Sequence, residues 1–228
     1  EIIDEKSFLH KPSRLSFVRK VYGILSIQLL FTTLVCILFM TVDSIKDFIQ
    51  GPHGNLLLLL SFAGSFGVLI ALMCCNLGRK YPHNVICLSL FTVFNSFMLG
   101  VVTSYYDTNT VVLAAGATCL VTFSLTMYSI LTKRDFTTIG GTLFTLLIIL
   151  IFMGIMSIFI HDQTYNLIYS GLGALIFSVY IIHDTQLIIG GANKKYQIAP
   201  DDYVLAALTL YLDIINLFLY LLSLLNRR

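Results

Sequence analysis

The chain has 228 residues, 57% of them hydrophobic and only 11% charged, with a formal net charge of +2 and a mean hydropathy of +0.87. An ordinary globular chain carries about 25% charged residues, so the 14 Lys+Arg and 12 Asp+Glu are too few to solvate a soluble surface. The balance excludes a soluble enzyme, a disordered chain and a nucleic-acid binder, which would need a basic footprint.

Taken in chain order, residues 1–20 read as a polar N-terminal segment, and residues 21–228 as a single transmembrane domain. No cleavable signal peptide is visible, so the first apolar run is expected to act as an internal signal-anchor. A bilayer core of about 30 Å needs about 20 apolar residues as helix. Seven stretches qualify, at about 21–42, 56–75, 85–106, 111–131, 141–160, 167–189 and 203–225. The first connection carries the breaker Gly51-Pro52, the second reads Arg79-Lys80-Tyr81-Pro82-His83-Asn84, and Ala199-Pro200 precedes the last span. Such short connections leave no room for a further domain and make neighbouring helices antiparallel. The expected fold is therefore an all-α membrane protein, a seven-transmembrane-helix bundle. The five cysteines, Cys36, Cys74, Cys75, Cys87 and Cys119, all fall in apolar runs. They suggest neither a disulfide framework nor a metal motif, and read as small packing residues.

Basic residues set the expected orientation. Lys6, Lys11, Arg14, Arg19 and Lys20 precede the first span, and Arg79, Lys80, Lys133, Arg134, Lys194 and Lys195 fall on the same side. Lys46, Arg227 and Arg228 fall on the other. That imbalance places the N-terminus in the cytosol. Arg227 and Arg228 run against the rule, and a re-entrant last segment would remove the conflict; seven full spans remain the preferred reading.

The acids repeat the pattern with two exceptions. Asp184 and Asp213 lie inside the sixth and seventh predicted spans, and no Lys or Arg is assigned to a span interior. A charged group at a span centre costs about 2.5–3.5 kcal/mol on insertion scales. At 1.5 Å per residue the two acids sit roughly 8 and 15 Å from the cytosolic side, so they can meet in one half of the bundle. Two carboxylates sharing a dry site do not readily both ionise, and such a pair can hold one proton between them. The pair also makes a weak, transient Ca²⁺ stop, because Ca²⁺ prefers oxygen ligands, although a tight site would need six to eight of them. Asn216, three residues after Asp213, and Tyr180, four before Asp184, could complete a polar seam. His183 leaves the helix roughly 100° away from Asp184 and reads as an interfacial or packing histidine. Asp201 and Asp202 follow Pro200, where acids favour a helix N-terminus. Arg79 reads first as an interface anchor, and second as a basic cap for the carboxylate pair.

The run Pro200-Asp201-Asp202-Tyr203-Val204-Leu205-Ala206-Ala207-Leu208, continued by Tyr211-Leu212-Asp213-Ile214-Ile215-Asn216-Leu217-Phe218, closely resembles the signature of the transmembrane Bax inhibitor motif family, also called Bax-inhibitor-like or Lifeguard proteins. Phe17-Val18-Arg19-Lys20-Val21-Tyr22, the segment Arg79 to Asn84, and His183-Asp184-Thr185-Gln186 agree with it. The sixth loop, residues 190–197, looks more like the Lifeguard branch than the shorter bacterial members. The resemblance implies six helices around a central seventh, and a pH-sensitive Ca²⁺ leak channel that lowers the releasable Ca²⁺ of an intracellular store and dampens cell death. It implies Asp184 and Asp213 as pH sensor at the pore, and Arg79 as a latch on the sixth-helix aspartate. His183, Tyr180 and Asn216 would support the pair. The partners implied are the lipid bilayer, Ca²⁺ and H⁺, with cell-death regulators of the Bcl-2 class or Ca²⁺ release channels; Ca²⁺ is cargo, and no cofactor and no nucleic acid are expected. The location implied is an endoplasmic reticulum, Golgi or endolysosomal membrane.

Other classes keep a place at this point. An intramembrane aspartyl protease also needs two membrane aspartates, but its GxGD motif is missing: Leu210-Tyr211-Leu212 precedes Asp213, and Gly171-Leu172-Gly173 is followed by Ala174. No catalytic residue is therefore assigned, and the chain is not read as an enzyme. A retinal-type receptor would need a lysine within a span. A membrane adaptor for cell-death proteins that conducts no ion, and a proton-coupled Ca²⁺ transporter, stay open.

Overall fold

A computed structural model describes residues 5–74, 77–191 and 193–226. Glu1, Asp4, Cys75, Ala192, Arg227 and Arg228 lie outside them, and with the last two the mismatch in the charge rule. Among the described residues the chain forms eight α-helices and three short 3₁₀ turns. The helices are α1 (Glu5–Thr41), α2 (Asp43–Gln50), α3 (Pro52–Cys74), α4 (His83–Ser104), α5 (Thr108–Leu131), α6 (Gly140–Ser157), α7 (Gln163–Ile189) and α8 (Tyr203–Leu225). Seven of them, all but α2, are long and apolar enough to cross a membrane. The all-α membrane architecture expected from the sequence is the one found.

Two features depart from the expected outline. The N-terminal segment is not separate from the first span, because helix α1 runs through the boundary at residue 20. Phe17, Val21 and Leu25 explain this: at four-residue spacing they lie on one face, and all three are buried, so the buried stripe begins before the apolar run does. The second departure is α2, eight residues in what reads as a loop. Its Ile45 and Ile49 share a face, and Ile49 packs in a cluster with Val35, Phe39 and Val101. The chain then turns at Gly51, and Pro52 opens α3 at the first helical position, where its missing N–H is no loss.

The structure divides into two compact units. The first holds Val112–Pro200 together with the described parts of Glu1–Val18 and Thr209–Arg228; the second holds Arg19–Val111 and Asp201–Leu208. Within the second unit, α1 and α4 are joined by a buried polar ladder. Gln28 donates to the Thr92 hydroxyl at 2.8 Å, and the hydroxyls of Thr32 and Ser96 meet at 2.9 Å. With lipid as the surroundings, hydrogen bonds of this kind set which helix faces pair, at about 0.6 kcal/mol each. Close approach needs a glycine at three places in this unit: Phe39 lies against Gly100, Phe94 against Gly64, and the start of α3 crosses the end of α2 at Gly54. A Cβ on Gly54 would fall 1.6 Å from the Ile49 carbonyl oxygen.

Burial ranks the spans. In α8, 61% of the most apolar stretch is buried, against 11% in α6. The last helix is the most enclosed of the seven, the rank expected of a core helix, and it runs unbroken for 23 residues.

Candidate functional site: a carboxyl pair between two helices

The C-terminal third of α7 is buried on every face: Ile181, Ile182, His183, Asp184, Thr185, Gln186 and Ile188 are all enclosed. Asp184 is 8% exposed, and Asp213, at the middle of α8, is 5% exposed. Both belong to the same compact unit. Their carboxyl groups stand close enough to interact. Asp213 Oδ2 is buried and has no hydrogen-bond partner. A carboxylate has no donor of its own, so two carboxylates facing each other cannot bond without a proton.

The neighbours of the pair differ in part from the expected seam. His183 Nδ1 lies 2.8 Å from Asp184 Oδ1, although consecutive residues leave a helix in divergent directions. The ring nitrogen sits only two bonds from Cβ, and both side chains bend toward each other inside the bundle. His183 is therefore a direct partner of the acid, not a packing residue. Its Nε2 abuts the start of α6, where a Cβ on Gly140 would stand 3.2 Å away. The Tyr180 side chain lies near both carboxyls. Asn216 turns away from that role: its amide donates to the Leu212 carbonyl of its own helix at 2.8 Å, the local bond that α-helical polar side chains form when nothing better faces them.

Two residues without a role in the sequence reading brace this end of α7. Arg14, counted among the loop charges, donates from Nε to the Ile189 carbonyl (3.2 Å), from Nη1 to Ile198 (2.6 Å) and from Nη2 to Leu187 (2.6 Å). Terminal carbonyls of a helix lack partners and attract cations, and one guanidinium serves two of them, Leu187 and Ile189, together with the Ile198 carbonyl of the following loop. Gln186, fully buried, accepts from the Phe136 amide at 2.8 Å and donates to the carbonyls of Arg134 (3.0 Å) and Ser129 (3.3 Å). Ser129 in turn donates to the Ile182 carbonyl at 3.0 Å. Beyond it the 190–199 loop is tied down by Asp135, which accepts from the Thr137 hydroxyl (2.7 Å) and from the Lys195 amide (2.9 Å). Those donors, Thr137 foremost, hold the Asp135 carboxyl below its ordinary range.

Arg79 lies in the second unit. It is exposed, and its Nε and Nη2 are both engaged by Asp202, at 2.6 and 2.9 Å. Asp202 was expected to cap the last helix, and Arg79 to latch Asp184; in this structure they pair with one another. That pair borders a recess of about 280 Å³ lined by Leu72, Met73, Val204, Leu205 and Leu208. Nearby, Asn84 donates to the Tyr203 hydroxyl at 3.0 Å, and Lys20 Nζ stands 3.3 Å over the Tyr203 ring. Of the cysteines, Cys36 is buried, while Cys119 is exposed on the outer face of α5 and so packs against no core. Among the described residues no group of three or more His, Cys, Asp or Glu gathers as a metal would require.

An all-α bundle with paired intramembrane carboxyls defines a class, and comparison with known families specifies it. The chain matches the family described as "Inhibitor of apoptosis-promoting Bax1" over residues 14–228, and it belongs to that family. It is similar to the "Golgi anti-apoptotic protein" of Vaccinia virus (strain Lister), with 42% identity over 214 residues, covering 93% of this chain and 86% of the relative. The proteins of the same description from strains LC16m0 and LC16m8 match equally.

Proposed function

We propose that this chain restrains cell death from an internal membrane, by conducting a Ca²⁺ leak controlled by protonation of the Asp184–Asp213 pair. The restraint of cell death, and the Golgi as the favoured membrane, rest on family membership and on the printed description of the viral relatives. The ion pathway rests on one observation: two buried carboxyls close enough to interact, on successive spans, one with a buried oxygen that has no partner. Such a pair can bridge through one proton at lower pH and separate by mutual repulsion when that proton leaves. Carboxylates at a membrane midplane mark ion and proton pathways by default. Two carboxyls suit passing Ca²⁺, which needs weak sites to leave again; a resident ion would need more oxygens. The N-terminus faces the cytosol in this reading.

Purified protein in liposomes tests it. Wild type should release Ca²⁺ at a rate that changes across the neutral pH range, and Asp213→Asn should flatten that pH response. Unchanged flux and pH response in Asp213→Asn would refute the role of the pair. Absence of flux from wild type, with anti-death activity retained by the aspartate variants in cells, would establish the adaptor reading instead. Counter-movement of protons with Ca²⁺ would identify a coupled transporter.

A further inference from the structure

The interface between α7 and α8 continues past the carboxyl pair, toward the end of α7 that follows the α6–α7 connection. The helices are antiparallel there, and each step back along α7 meets a step forward along α8. On α8 the residues Asp213, Asn216, Tyr220 and Ser223 recur at spacings of three and four, so they share a face. On α7 the facing residues are Tyr180, Phe177, Gly173, Ser170 and Tyr169. Ring contacts connect them without a gap. Tyr180 lies tilted against Phe177 at 5.7 Å between centroids, Phe177 stacks on Tyr220 at 5.8 Å, and Tyr220 meets Tyr169 edge-on at 5.4 Å.

The far end of this aromatic column is closed by hydrogen bonds. The hydroxyls of Tyr169 and Tyr220 lie 3.0 Å apart, and those of Ser170 and Ser223 lie 2.7 Å apart. Two glycines seat the rings. A Cβ on Gly173 would stand 2.5 Å from the Tyr220 ring, and a Cβ on Gly154 would stand 2.8 Å from the Tyr169 hydroxyl. Neither tyrosine could occupy its place if a larger residue stood opposite.

We infer that this column is the gate on the far side of the carboxyl pair, with Tyr220 as its moving part. The inference deepens the proposed function and rests on it for the identity of the ion, but the barrier itself is testable without any ion. The logic is geometric. A path that reaches Asp213 along the α8 stripe must pass Asn216, and Tyr220 with Phe177 stands between Asn216 and the helix end at Ser223. The ring blocks that path while it rests on Gly173 and bonds Tyr169. Rotating it away frees a face already lined with an amide and hydroxyls, groups that can replace part of a hydration shell. Tyr220 positions and excludes; the carboxyls bind.

Thiol accessibility in full-length protein, reconstituted after replacement of the native cysteines, tests the gate. The probe is a membrane-impermeant methanethiosulfonate reagent applied from one face at a time. A cysteine at position 216 (Asn216→Cys) should react slowly from the α6–α7 side, and a cysteine at position 223 (Ser223→Cys) should react quickly. Adding Tyr220→Ala should speed the reaction of the 216 thiol by about 30-fold, the factor carried by one hydroxyl hydrogen bond and two aromatic pairs at the low end of their range, while the 223 thiol stays unchanged. Gly173→Ala, which keeps both hydroxyls but displaces the ring, should speed it too, and Tyr220→Phe should have a smaller effect. An unchanged rate at position 216 in both Tyr220→Ala and Gly173→Ala overturns the gate, whatever Asp213→Asn does to Ca²⁺ flux. If Tyr220→Ala exposes position 216 from both faces, the helix pair has come apart, and Gly173→Ala alone decides. Loss of the flux reading with one-sided gating intact would leave Tyr220 guarding a path for some other ion.

Discussion

Gln186→Leu separates the stability of the carboxyl site from its chemistry. Gln186 sits two residues beyond Asp184 and spends its amide on three backbone groups: the Phe136 N–H and the carbonyls of Arg134 and Ser129. Leucine preserves the volume and removes all three bonds. The losses are unequal. Lys194 also donates to the Arg134 carbonyl, at 2.5 Å, so that oxygen keeps a partner. The Phe136 amide loses the acceptor that Gln186 supplies, and a buried donor left unsatisfied costs about 1–3 kcal/mol. The Ser129 bond is the longest of the three and adds less. The sum is about 2–3 kcal/mol, which for a chain of this size lowers the melting temperature by about 5–10 °C. Thermal unfolding in detergent measures the shift, and Gln186→Glu supplies the contrast, since it keeps the acceptor for Phe136 but turns a carboxylate toward two carbonyl oxygens. Both variants should be destabilised, the glutamate more so. A melting temperature within about 1 °C of wild type for Gln186→Leu would mean that the α5–α6 turn does not depend on α7, and the bracing argument would fail.

Two further outcomes follow from the charged loops. If Arg79 acts through Asp202, then Arg79→Gln, Asp202→Asn and the double variant should have the same flux and pH profile, with any effect weakened by added salt because the Arg79 side chain is 65% exposed; a defect confined to Arg79→Gln would instead favour the latch on Asp184. Asp135 titrates below its ordinary 3.8, so its contribution to holding the 190–199 loop is fully present above that value and is lost as pH falls through the lowered one. Hydrogen exchange should therefore show the Lys195 amide protected at neutral pH in wild type and released in Asp135→Asn, and equal exchange in the two proteins would remove Asp135 from the tether.

The sequence disclosed what the membrane penalises. Lipid makes every charge and every break in an apolar run conspicuous, so seven spans and the pair Asp184 and Asp213 could be read directly. What stayed hidden depends on tertiary partners. Helix α2 is too short to announce itself, and its two isoleucines look like loop residues until α1, α3 and α4 surround them. Arg14 reads as one more positive charge near a membrane surface, because the carbonyls it serves lie more than 170 positions away in the chain. His183 was misjudged by helical geometry alone, which describes where side chains start and not where they end. The polar face of α8 was partly legible: the spacing that picked out Asn216 continues to Tyr220 and Ser223. Their partners Tyr169 and Ser170 could be assigned only once the register of α7 against α8 was known.

That register also supports the proton as the control that the proposed function gives the carboxyl pair. Several polar side chains lie on or against this stretch of α7 and α8, yet the structure commits them elsewhere: Gln186 to the α5–α6 turn, Asn216 to Leu212, and Ser129 of α5 to Ile182. The Thr185 hydroxyl is buried without a partner, so it does not serve Asp213 either. Arg14 is held by the carbonyls at the end of α7 and in the following loop. Of the side chains near the two acids, His183 bonds Asp184, and Tyr180 lies close to both without a hydrogen bond to either. Asp213 Oδ2 is left with nothing. A buried carboxylate oxygen in that position is stabilised by a proton or by a passing cation, and each displaces the other. Under the proposed function, competition between H⁺ and Ca²⁺ for one oxygen pair would make the leak pH-sensitive without any separate sensor domain.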